Sequence, residues 1–268
     1  MNKLSMHRGP ARGGRLALAA AALALAGCAS GPGADPRDPF EPFNRGVTRF
    51  NEGVDAVVLK PSATLYREYV PALVRTGVSN FFGNLGDAWS AVNTALQLRP
   101  RETADNIMRF GLNTVFGLGG LLDIASEANI DRHREDFGQT LGRWGVPAGP
   151  YLVLPLLGPS TVRDTAALPM DWRGDGIQHL GVDASGETGL YALRVVNVRS
   201  NLLRAGDVLD GAALDKYSFT RDAYLQLRRA AVYDGSGRGS DGSDGSDGAE
   251  GAGGGAGTDP APAAPAAR

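Results

Sequence analysis

VPALVRTGVSNFFGNLGDAWSAVNTALQL, residues 70–98, is the stretch whose reading decides the fold. Val78, Phe81, Phe82, Leu85, Trp89, Val92 and Leu96 recur at three- and four-residue steps, which is the stripe of one helix face. Pro71 suits an early helical position, where a missing N–H costs nothing. The same segment carries a second stripe, Asn80, Asn84, Asp87, Ser90 and Thr94. An exposed helix face is usually rich in Lys and Glu. This one is narrow and favours Asn, which hydrogen-bonds without the desolvation cost of an ion.

The pattern repeats on either side. Asp38 to Val58 carries Phe40, Phe43, Val47, Phe50, Val54 and Val57 at helical steps, and Lys60-Pro61 is expected to end that helix. Arg101 to Phe116 reads as another helix, with Glu102, Asn106, Arg109 and Asn113 as its polar stripe. Gly117-Leu-Gly-Gly120 punctuates it, and an apolar run resumes from Leu121 to Ala128. Two later helices are expected over Glu187–Leu209, with the stripe Arg194, Asn197, Asn201 and Arg204, and over Thr220–Tyr233, with Ser218 as N-cap. Alternating strand patterns are scarce. The apolar run from Pro150 to Gly158 contains Pro155, which bars it from a central strand. The expected class is all-α with short non-helical Gly/Pro segments. The polar stripes have two readings. They are either solvent-exposed or hydrogen-bonded between helices, or several of them converge on a polar passage while aromatic faces meet lipid. After residue 27 no run reaches the ~18 apolar residues of a spanning helix.

The two ends differ from this body. Lys3, Arg8, Arg12 and Arg15 precede an uncharged run from Leu16 to Ala26, too short to span a bilayer but fitting a secretory signal. It ends in Leu25-Ala-Gly-Cys28, a bacterial lipobox, with cleavage expected between Gly27 and Cys28. Cys28 is the chain's sole cysteine. A plain secretory signal with a chance cysteine is the alternative. Ala29 stands where an Asp tends to hold lipoproteins at the inner membrane, so outer-membrane delivery is expected. A triacylated Cys28, palmitate being the usual N-acyl group, would supply the several chains that stable anchoring needs. Residues 28–37 read as a flexible linker, 38–233 as the helical domain and 234–268 as a flexible Gly/Ser/Asp then Ala/Pro tail. Asp241, Asp244 and Asp247 repeat in that tail without the ligand set of an EF-hand loop.

Composition and motifs exclude much else. With 27 Lys+Arg against 29 Asp+Glu, a net charge of −2, the chain is no strongly basic nucleic-acid binder. One Cys and three His leave little for a metal centre, and none is expected. There is no nucleophile elbow, no Walker loop and no dinucleotide register at Gly117–Gly120, so neither a cofactor nor an enzyme is indicated. His133, Glu135 and Asp136 are close in sequence but lack a metal-ligand spacing. His179 reads as a loop residue. Asp123, Asp136 and Asp164 form no marked pair.

Asp38-Pro-Phe-Glu41, Phe43-Asn-Arg45, Phe50-Asn51, Lys60-Pro61 and Val78-Ser-Asn-Phe81 resemble, in order, the MlaA/VacJ family of outer-membrane lipoproteins. So do Arg109-Phe110, Asn113-Thr-Val-Phe-Gly117, Gly120-Leu-Leu-Asp123, Asp136-Phe-Gly-Gln-Thr-Leu-Gly142, Gly149-Pro-Tyr151 and Arg163-Asp164. The similarity covers about residues 35–233. It implies a ring-like bundle of amphipathic helices in the membrane plane around a central amphipathic channel. It implies removal of glycerophospholipids misplaced in the outer leaflet and their transfer to a soluble periplasmic carrier. It also implies docking beside an outer-membrane porin trimer. The channel lining expected here is Asn80, Asn84, Asp87, Asn106, Arg109, Asn113, Arg194, Asn197, Asn201 and Arg204. The expected gate is Asn129, Asp131 and Arg134 with Gly145, Pro147, Gly149 and Pro150. A non-transporting porin adaptor or a membrane-bound lipid hydrolase are the alternatives.

Overall fold

A computed structural model of the protein describes residues 35–212 and 214–233. The signal segment, the lipobox with Cys28, the start of the linker and the tail 234–268 lie outside the described residues.

The first helix, α1 (Glu41–Val54), starts with Pro42 in its first turn and Glu41 at its positive end. It does not stop at Lys60-Pro61. A π-turn, Asp55–Leu59, leads directly into α2 (Lys60–Tyr69), with Pro61 in the first turn of α2. Proline removes one donor and crowds the preceding turn. The wider turn just before it relieves that crowding, so the chain continues as a helix. The break falls at Val70, which is extended ahead of Pro71.

Helices α3 (Ala72–Leu96) and α4 (Pro100–Val115) form an antiparallel pair. The loop after α4 doubles back tightly: Gly120 has φ +94°, and a Cβ there would lie 2.7 Å from the Asn84 amide nitrogen. Three elements follow that periodicity did not reveal, two of them too short to show a stripe and the third interrupted by Pro169, and each starts at a side-chain cap. In α5 (Ile124–Glu127) the Asp123 carboxylate accepts from the Ser126 N–H, and in α6 (Phe137–Arg143) Asp136 accepts from the Gln139 N–H. In α7 (Val162–Arg173) Thr161 accepts from the Asp164 N–H. Between α6 and α7 the apolar run makes an antiparallel hairpin, β1 (Tyr151–Leu154) with β2 (Gly158–Thr161), and β1 ends just before Pro155. The hairpin is the one non-helical addition to the expected class. A 3₁₀ turn, Gly176–His179, precedes α8 (Ala184–Ala212) and α9 (Lys216–Tyr233). Helix α9 begins earlier than Ser218. Asp215 caps it, accepting from the Tyr217 N–H at 3.1 Å, and the Ser218 hydroxyl turns back to the same carboxylate.

The interior is unusual in composition. Among the described residues ten buried side chains are apolar and twenty are polar or charged, while thirty-six large apolar side chains stand exposed. Exposed apolar residues occur on any surface, but this many beside a polar interior is an inversion. The elements are accordingly joined by polar groups. The Asn44 amide donates to Asp38 at 2.8 Å and to the Tyr151 carbonyl at 3.1 Å, and its oxygen accepts from the Val153 N–H at 2.8 Å. Two turns on, Asn51 holds Leu154 and Leu156 in the same way. Helix α9 is clamped by Arg228, whose guanidinium reaches Asp136 at 2.6 Å and Asp164 at 2.8 Å. Burial disfavours that cation, yet the two carboxylates outweigh it and hold its pKa above the usual value.

Replacing Arg228 with Met leaves Asp136 and Asp164 without their shared partner. The expected cost is about 3 kcal/mol. Denaturant unfolding in detergent measures it, and hydrogen exchange should accelerate first in α9.

Candidate functional site

The polar stripes of α3 and α4 face each other. Arg109 lies between them at 1% exposure. Its Nη2 donates to Asp123 at 2.7 Å and to Ser126 at 3.2 Å, and its Nη1 donates to the Ile130 carbonyl. Asp87 sits 3.6 Å from Arg109 Nε and 2.9 Å from Arg132 Nε. Asn113 donates to Asp123 at 3.0 Å and accepts from the Ala125 N–H at 2.9 Å. Asn84 donates to Thr114 at 2.9 Å, Asn80 to the Leu121 carbonyl at 3.1 Å, and Asn106 accepts from the His133 N–H at 3.3 Å. Asn84, Asp87, Asn106, Arg109 and Asn113 are all buried. Helix-to-helix and helix-to-loop hydrogen bonding thus joins these two stripes into a seam.

The stripe on α8 behaves differently. Asn197 is buried and exchanges hydrogen bonds with Ser79, while Asn201 donates to the same hydroxyl at 3.2 Å from an exposed position. Arg194 makes a two-toothed pair with Asp175, and Arg204 is exposed. The four do not join the seam. Of the expected gate, Asn129, Asp131, Arg134, Gly145, Pro147 and Gly149 are exposed and Pro150 is half-buried. Asn129, Gly145 and Gly149 take positive φ, and the Val162 N–H ties down the Pro150 carbonyl at 3.1 Å.

The seam's two acids are held in opposite senses. Burial pushes Asp87 above the ordinary carboxylate range, against the pull of Arg132 and Arg109. Burial also opposes the charge on Asp123, but hydrogen bonds from Ser126 and Asn113 and the charge of Arg109 win, and its pKa falls.

Open space is found along other elements as well. Three neighbouring clefts of about 320, 650 and 210 Å³ run along α1, the π-turn, α8, the hairpin and the start of α9, and Glu52 and Lys216 line all three. Lys60 and Arg199 edge the largest, and Arg45 and Arg49 the first. The sequence reading missed these residues, because no stripe links α1 to α8. The Arg199–Asp55 pair at 2.6 Å spans 144 positions. His133 turns to Asp105 at 3.1 Å. Among the described residues no group of three His, Cys, Asp or Glu is placed to hold a metal, and no helix is long and apolar enough to cross a membrane.

This is the class of inside-out helical proteins: polar seams within, apolar faces without. A profile of the MlaA lipoprotein family matches residues 36–231, and the chain belongs to that family. The chain is 38% identical over 217 residues to the intermembrane phospholipid transport system lipoprotein MlaA of Escherichia coli K12, an overlap of 78% of this chain and 85% of that one. The protein of the same designation from Haemophilus influenzae is 34% identical, the overlap covering 80% of this chain and 88% of that one. An uncharacterised protein of Rickettsia bellii is 35% identical over 73% of this chain and 76% of its own length. A solved chain from work on the structural basis for maintenance of bacterial outer membrane lipid asymmetry superposes with a TM-score of 0.65 at 35% identity, covering 73% of this chain and 98% of that one.

A depressed carboxylate stabilises the fold above its unfolded pKa, and that contribution is lost as pH falls through the folded value. Asp123 is such a group, whereas acidification relieves the burial cost of Asp87. Asp123→Asn should therefore cost about 1–3 kcal/mol at neutral pH and flatten the decline in stability below pH ~4. Unfolding midpoints of variant and wild type between pH 3 and 7 check both halves.

Proposed function

We propose that this protein is an outer-membrane lipoprotein that removes phospholipids misplaced in the outer leaflet and passes them to a soluble periplasmic carrier, and that it is not an enzyme. The observation that carries this reading is the inversion of its surface. Side chains such as Leu73, Ile107 and Met108 are exposed on one side of the helices, and charged ones such as Arg109 are buried on the other. In water, thirty-six exposed large apolar side chains are a liability, whereas against acyl chains each is at home. A chain with no spanning helix among its described residues fits this if its helices lie in the membrane plane, as a ring around a passage beside a porin trimer. Cleavage after Gly27 and triacylation of Cys28 would then fix the first mature residue in the same membrane, with the periplasmic side facing the carrier.

Within this reading the seam is the frame and the clefts along α1 and α8 are the way through. A head group is too costly in hydrocarbon and needs polar walls, which the frame withholds and the clefts provide. The loop Asn129–Arg134 and the segment 145–158 flank well-capped helices at positive-φ positions, which suits a gate.

The test is a deletion strain scored for outer-leaflet phospholipid, complemented by wild type and by Cys28→Ala. Deletion should raise surface-exposed phospholipid, wild type should restore it and Cys28→Ala should not. Unchanged surface phospholipid on deletion, with co-purification of a porin, would make the protein a structural adaptor instead.

A further inference from the structure

The largest of the three clefts lies where the π-turn meets α8, and the π-turn explains its chemistry. Five residues along an α-helix two side chains point ~140° apart. The Lys60 N–H bonds to the Asp55 carbonyl five residues back, and such a wide turn brings the two side chains towards one face. Asp55 and Lys60 thus line the same opening, together with Glu52, Arg199 and Lys216. Arg199 is oriented by a two-toothed pair with Asp55 at 2.6 and 2.8 Å. Lys60 is held only by an exposed contact with Asp207 at 3.2 Å, a pairing that a better anion displaces at little cost. The floor is apolar, with Ala56, Leu202 and Ala205. Glu52, Lys216 and Leu209 continue into the adjoining, more enclosed cleft of about 210 Å³, which Tyr151, Val153 and Pro159 make apolar.

A cleft with both signs of charge on its rim, leading into an apolar recess, fits an amphiphile whose head carries both signs. Its volume of about 650 Å³ suits such a head. We propose that this cleft is the head-group site of the phospholipid path and that it selects a zwitterionic ethanolamine phosphodiester. The phosphate meets Lys60 and Arg199, the ammonium meets Glu52, and the start of an acyl chain enters the recess between the hairpin and α9. The neighbouring Asp55 and Asp207 disfavour a head group that brings only negative charge. The proposal rests on the reading of this protein as a phospholipid handler and adds where and which.

The experiment uses the full-length lipoprotein carrying a photoreactive benzoylphenylalanine at Ala205, with a control at Val115, which is 71% exposed on the outer face of α4. After detergent extraction it is reloaded with defined vesicles of phosphatidylethanolamine or phosphatidylglycerol, irradiated and read by mass spectrometry. Position 205 should capture phosphatidylethanolamine in preference to phosphatidylglycerol, while position 115 captures both alike. Lys60→Glu, at a partly exposed rim position, should cut capture at 205 about tenfold, the worth of one charge-assisted hydrogen bond. In cells Lys60→Glu should likewise raise surface phospholipid. Capture at 205 that ignores head group or Lys60→Glu, or that favours phosphatidylglycerol, overturns the site while leaving the transport reading intact. If deletion of the whole chain also leaves outer-leaflet phospholipid unchanged, the transport reading falls with it.

Discussion

Arg109 between Asp87 and Asp123 is the constraint on which the remaining architecture depends. A guanidinium removed from water must be met on several sides, or the fold loses more than it gains. Here the partners come from α3, from the loop capping α5 and from the backbone at Ile130, so one cation fixes three segments at once. Once the polar faces of α3 and α4 are spent on each other, part of their apolar surface is left outward, while Phe81, Phe82, Leu85 and Trp89 stay half-buried. The exposed Val92, Ile107, Met108 and Phe116 are the direct consequence. In a water-soluble bundle the same two stripes would be turned the other way, with the aromatic side buried and the Asn side wet.

That inversion also explains what was legible in the sequence and what was not. The stripes on residues 70–98 and 101–116 are periodic whichever medium they face, so α3 and α4 could be read within two residues of their ends. Period alone says nothing about which stripe is inside. The Asn-rich character of the second stripe hinted at burial, and Asn84, Asn106 and Asn113 are indeed enclosed. Asn84 reaches across to Thr114 on α4, whereas Asn106 and Asn113 bond to the loop at His133 and to the cap of α5. Helices α5, α6 and α7 depend on Asp123, Asp136 and Thr161 as caps, and single capping residues are too common to be read as helix starts. Pro61 misled because a proline normally ends a helix. The compensation, a widened turn, leaves no trace in residue type.

The clefts were illegible for a different reason. Their walls come from α1, α8, α9 and the hairpin, which lie far apart along the chain, and pairs such as Arg199–Asp55 exist only once these meet. The family likeness carried further than the residue-by-residue reading: Asn44, Asn51, Asp123 and Asp136 stand in its motif blocks, and each has a defined structural task. Asn44 and Asn51 hold the hairpin, and the two aspartates cap helices while receiving arginines.

The attachment of the first described residues gives the molecule a mechanical character. Asp35 and Asp38 both contact Arg221, and Asp38 is further held by the Tyr217 hydroxyl and the Asn44 amide. Asn44 is in turn bonded to both the Tyr151 carbonyl and the Val153 N–H of β1. Tension applied at the leading end would therefore pass not into one helix but into the hairpin, through the Asn44 amide and the Arg37 carbonyl that accepts from the Tyr151 N–H, and into α9, through Arg221, Tyr217 and the Arg37–Asp222 pair. The segment from Asp35 to Asp38, the hairpin and α9 would bear such a load together.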